Sequence, residues 1–93
     1  MTVGVLIIEI LIHDSSSLKE KRLVLNRMKD RLKNKYNVSV AELDFLDKWQ
    51  RSRIGIALIG NQYSHVEQSL RRVFDYLDNS DSYEIIDYSF DYV

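Results

Sequence analysis

The chain has 93 residues, 45% of them hydrophobic and 29% charged, which bounds it to one globular domain with a modest core. It contains no Cys, so disulfides, thiol nucleophiles and the commonest structural zinc ligand are excluded. Net charge is only −1, but residues 17–36 carry eight Lys or Arg against Glu20 and Asp30, while residues 74–93 carry six acids and no base. Such a dipolar chain can steer one face toward phosphate or pair with a copy of itself.

Val3 to Ile12 reads as a strand. Leu6, Ile8, Ile10 and Ile12 form one alternating set, and Val3, Val5, Ile7 and Leu11 form the other with Glu9 among them. Apolar character on both sides is expected of a central strand covered on each face. The run is too short to cross a bilayer and lacks a basic leader or a small-residue cleavage site, so it reads as neither a span nor a signal peptide. Asp14 to Ser17 is a polar turn into a helix.

Ser17 with Glu20 three residues later forms a capping box. Leu18, Leu25, Met28, Leu32 and Tyr36 then recur at helical spacing, and Asn37 is a left-handed stop. At roughly 100° per residue most of the basic residues face solvent, but Lys21 falls on the apolar stripe and Arg22 beside it. Two readings stay open. Both stems lie along apolar surface while their charges reach water, or the two cations join the first-turn amides in an anion site.

Val38 to Asp44 is a second strand, whose acids suit a sheet edge. Phe45 to Arg53 is a connection carrying Trp49, the chain's only Trp. Arg53 to Gly60 is a third strand, free of acids and therefore central. Ser64 with Glu67 forms a second capping box, and Val66, Leu70, Val73 and Leu77 supply the apolar stripe of a second helix. Asp78 to Asp81 ends it, and Tyr83 to Val93 is the last strand. There is no Pro and no low-complexity tract.

The order β-α-β-β-α-β predicts an α+β, ferredoxin-like domain over residues 1–93: a four-stranded antiparallel sheet with both helices on one face. The first and third strands are then central and the second and fourth are edges. The opposite sheet face is left uncovered, and its apolar residues mark an interaction surface. A homodimer, or another bound partner, is expected there.

Little points to catalysis. His13 and His65, the only histidines, sit at helix entries with no evident acid–base partner. Glu42, Asp44 and Asp47 are oxygen ligands in type, but edge-strand acids are usually solvated. Only three glycines occur, none in a phosphate loop, and no nucleophile-elbow or zinc-protease pattern is present. The chain is therefore expected to be a non-enzyme without a metal or cofactor.

Trp49 beside Arg51 and Arg53 has the aromatic-plus-basic composition that stacks and neutralises single-stranded nucleic acid. The competing reading is a Trp that covers the core edge at a strand turn. Of the six tyrosines, four lie from Tyr76 onward among acids that repel phosphate, so they read as interface or core residues. Lys19, Lys21, Arg22, Trp49, Arg51 and Arg53 are the candidate RNA contacts.

The runs Ser17-Leu18-Lys19-Glu20-Lys21-Arg22, Asn37-Val38-Ser39-Val40-Ala41-Glu42, Asp47-Lys48-Trp49-Gln50 and Ile54-Gly55 resemble the YlxP-like family of small bacterial proteins. The likeness extends over nearly the whole chain but thins after Gly60, and Tyr36 stands where Phe is common. The resemblance implies a ferredoxin-like fold, a bacterial cytoplasmic setting, and genes often near those of translation-initiation and ribosome-maturation factors. It implies no catalytic residues. With the basic helix, it points to RNA or the ribosome as partner, the alternative being a homodimeric interaction domain that binds no nucleic acid.

Overall fold

Strand β1 spans Thr2–Leu11 and helix α1 Leu18–Lys35; strands β2 and β3 span Ser39–Asp44 and Arg51–Gly60. Helix α2 spans Tyr63–Asp78 and strand β4 Glu84–Tyr92. These elements come from a computed structural model that describes residues 1–93. The sheet order is β2-β3-β1-β4 with every neighbouring pair antiparallel, which is the ferredoxin-like α+β arrangement.

Both alternating sets of β1 are apolar, and the helices cover the even one. Leu6, Ile8 and Ile10 are fully buried with Ile54 and Ile56 of β3, in one cluster with Leu25, Met28 and Leu32 of α1 and Leu70, Val73 and Leu77 of α2. A single cluster with both helices in it means that both lie on the same side of the sheet. Cross-strand register carries the face outward, with Leu6 opposite Phe90 and Ile8 opposite Tyr88 on the β4 side. The other face holds Val3, Val5 and Ile7, which stay half-buried, and the exposed Ile59 of β3.

Gly4 sets the spacing between β1 and α2. A Cβ there would stand 2.5 Å from Leu70 Cδ1 and 2.7 Å from Val66 Cγ1, closer than real side chains approach. Only a hydrogen lets the helix seat at this depth.

The caps depart from expectation. Ser17 does cap α1, accepting from the Glu20 N–H at 3.1 Å. The Glu20 carboxylate, however, reaches back to the N–H and hydroxyl of Ser16, one residue before the cap, at 2.6 and 2.9 Å. The Ser16 N–H above all holds the Glu20 carboxyl below its ordinary range. The second box does not form: α2 starts at Tyr63 behind Gln62, with no side-chain cap, and Glu67 pairs instead with Arg71 one turn on. Asn37 is not a left-handed stop either, because α1 ends in extended backbone at Tyr36. Phe45 is the one non-glycine residue at positive φ, at 63°.

Candidate functional site

The connection between β2 and β3 is built from inside. Phe45 O accepts from the Lys48 N–H at 3.0 Å, closing a tight turn. Lys21 projects from α1 into that turn, and its ammonium donates to Phe45 O at 2.6 Å and Lys48 O at 2.7 Å. Its third N–H meets Glu42 Oε2 at 2.8 Å, and the same oxygen accepts from the Ser52 hydroxyl at 2.7 Å. The Lys21 side chain is 1% exposed.

Lys21 therefore lies on the apolar stripe as the helical spacing requires, yet its charge does not reach water and is not free for an outside anion. A buried ammonium is tolerable only when paired and fully hydrogen-bonded, and this one is. Of the candidate RNA contacts, Lys21 is the one the structure removes.

A second anchor holds the other side of the turn. The Gln50 side-chain amide donates to His13 O at 3.2 Å and Ser15 O at 2.9 Å, and Gln50 O accepts from the Ile12 N–H at 2.8 Å. Between the two anchors the apolar tips Leu46 and Trp49 project outward, 61% and 54% exposed. Trp49 thus covers no core edge. With Leu11, Phe45, Lys48 and Arg51 it borders a shallow cleft of about 620 Å³.

Arg51 and Arg53 stand on the uncovered sheet face, opposite Leu11 and Glu9 in the β1–β3 register. Both reach Glu9, through Arg51 Nη2 to Oε2 at 2.6 Å and Arg53 Nη2 to Oε1 at 3.0 Å, and Arg53 also meets Asp44 at 3.2 Å. The Arg51 hydrogen bond is the strongest influence holding the Glu9 carboxyl below its ordinary range, with Arg53 adding to it against burial. The Arg51 guanidinium also lies 4.1 Å from the Phe45 ring centre, and that of Arg53 5.2 Å away. These two arginines are half-committed inside the chain, although their outer edges stay in water.

The acids do not converge on a common centre: Glu42 serves Lys21 and Ser52, while Asp44 serves Arg53 and the Phe45 N–H. His13 faces Glu84 at 2.9 Å in an exposed pair, and His65 is exposed.

Lys19 and Arg22 are exposed on α1. The spacing 22, 29, 33 aligns Arg22 with Lys29 and Lys33 in one row. Val24, Arg27 and Arg31 face α2, so this row occupies the flank turned away from it. No member of the row enters an ion pair within the chain. Lys21 ties the turn that carries Trp49 to the first turn of α1, the end at which Arg22 stands; Lys29 and Lys33 lie about 10 and 16 Å farther along the helix. Phe45, Gln50 and Glu9 were not singled out as site residues from the sequence; Glu9 alone left a trace, as the one acid in an apolar strand.

No helix is long and apolar enough to cross a membrane. A family model described as "Protein of unknown function (DUF503)" matches residues 3–90. The chain is also 44% identical over 71 residues to the "Uncharacterized protein YlxP" of Bacillus subtilis (strain 168), an alignment covering 76% of this chain and 77% of that protein. With a match running almost end to end, and the ferredoxin-like fold that the motifs implied, the chain belongs to the DUF503, YlxP-like family.

Proposed function

We propose that this chain is a non-enzymatic binding module that contacts single-stranded RNA, in the cytoplasm and at the ribosome. The observation that carries the reading is Trp49, 54% exposed on a doubly anchored turn that Lys21 ties to the first turn of α1, a helix whose flank carries Arg22, Lys29 and Lys33 outside every ion pair of the chain. A base stacks on the exposed indole while the backbone follows the row, and Lys19, Lys48 and the outer edges of Arg51 and Arg53 add positive charge. The implied gene neighbourhood of translation factors supports the same partner.

The test is fluorescence anisotropy with a labelled unstructured RNA at about 50 and 200 mM salt, alongside co-sedimentation with ribosomal subunits. Phosphate contacts make log affinity fall linearly with log salt, by a slope of about −0.7 per neutralised phosphate on a single strand. Absence of binding at the lower salt, together with absence from the ribosomal pellet, would reject the reading.

A homodimer across the uncovered sheet face is the second reading. It is favoured by Ile59 and Leu43, 62% and 49% exposed, beside the small residues Gly55 and Ala57. Sedimentation at micromolar concentration separates dimer from monomer, and Ile59→Lys should shift a dimer to monomer while leaving RNA retention unchanged.

A further inference from the structure

A second concavity opens on the helical side, away from the Trp49 turn. It lies between α1 and the loop that follows α2, with a volume of about 410 Å³, within the range of small-molecule sites. Val24 and Met28 of α1 and Leu77 of α2 give it an apolar floor. On one wall stand Arg27 and Arg31, one helical turn apart and in none of the chain's ion pairs. The facing wall carries Ser80, Asp81, Ser82 and Tyr83. Burial pushes the Tyr83 phenol up to about 12, so it remains a neutral hydrogen-bonding group at any physiological pH.

The two walls ask for different chemistry. Paired guanidiniums match the oxygens of a phosphate in geometry and charge. Asp81 and the C-terminal end of α2 make the opposite side negative, which suits hydroxyl or amino donors and repels a bare anion. A small inorganic ion satisfies only the first wall and suffers the second. We propose that this cleft binds a nucleoside monophosphate, with the phosphate between Arg27 and Arg31 and the ribose or base donors toward Asp81. The site is independent of the RNA surface, which uses the other flank of α1.

The test is a titration of the isotope-labelled protein with AMP, UMP and inorganic phosphate, followed by amide shifts. A nucleoside monophosphate should move the amides of Asn79 to Tyr83 and Val24 to Arg31. The double variant Arg27→Gln/Arg31→Gln, at two exposed positions outside the chain's ion pairs, should weaken binding at least about tenfold, the loss of roughly one charge-assisted hydrogen bond. Its RNA affinity should change by less than that factor, so failure of one site is distinguishable from failure of the other. Absence of shifts at millimolar nucleotide, equal binding by the double variant, or equal binding of inorganic phosphate would each overturn the proposal.

Discussion

Lys21 Nζ stands 2.8 Å from Glu42 Oε2, joining the first helix to an edge strand from inside the molecule. Both ends of this pair were visible as charges, one on an apolar stripe and one on an edge. Their meeting converts a basic motif that invites an anion into the internal support of a turn. Removing one partner strands the other. Lys21→Met should therefore destabilise the fold by about 3–5 kcal/mol in urea denaturation, because Glu42 is left uncompensated and two carbonyls lose their donor. Lys21→Met with Glu42→Met should recover part of that loss and stay below wild type, since the Phe45 and Lys48 carbonyls remain unserved. A wild-type midpoint in the single variant would show that the pair carries no weight.

Trp49 reports on the same support. In Lys21→Met its fluorescence should become more mobile and more water-quenched, measured as lower anisotropy, whereas Arg22→Gln should leave it unchanged. For RNA, Trp49→Ala should cost about 1–3 kcal/mol of affinity as a lost stacking contact. Its urea midpoint should stay near wild type, because the indole is 54% exposed and holds no hydrogen bond to the chain.

Glu9 and Glu20 link the fold to pH. Both carboxyls have folded-state values below the ordinary 4.5, so each binds a proton less readily in the native state than in the unfolded one. Their contribution is present above about pH 4.5 and is lost as pH falls through the lowered folded values. Glu9→Gln removes one such group, so its stability should decline less steeply than that of wild type between about pH 5 and 2. Carboxyl titration by NMR should find Glu9 below 4.5 in the wild type and return it toward that value in Arg51→Gln.

The two serine caps give opposite expectations from the same sequence pattern. Ser17→Ala should cost about 0.5–2 kcal/mol, since its hydroxyl serves the Glu20 N–H. Ser64→Ala should stay within about 0.5 kcal/mol of wild type, because Ser64 already lies inside α2 and makes no cap.

Gly4→Ala should destabilise by about 1–3 kcal/mol through overpacking, as the new methyl meets Leu70 and Val66 side chains at 2.5 and 2.7 Å. Pairing it with Leu70→Ala, which opens that space, should give a smaller combined loss than the sum of the two; strict additivity in the cycle would remove Gly4 from the account.

The order of the elements and the inward stripe of each helix were legible in the chain, and with them the ferredoxin-like sheet with one side uncovered. These are local properties. Periods of two and of about 3.6 fix which side chains share a face, and acid-poor strands must be central. Which of the two apolar sets of β1 the helices cover was not legible, and folding buries Leu6, Ile8 and Ile10. The sequence also placed Lys21 on the inward stripe of α1. Only the tertiary structure decided where that ammonium goes, because its partners lie 21 to 27 positions away and two of them are backbone carbonyls, which carry no residue signature. The same holds for Glu9 beside Arg51 and Arg53, a contact set by strand register, and for Ser64, whose capping pattern was overruled when the chain entered α2 two residues early, at Tyr63 behind Gln62. Charges are legible in a chain; their partners are fixed by distance in space, and that distance exists only after folding.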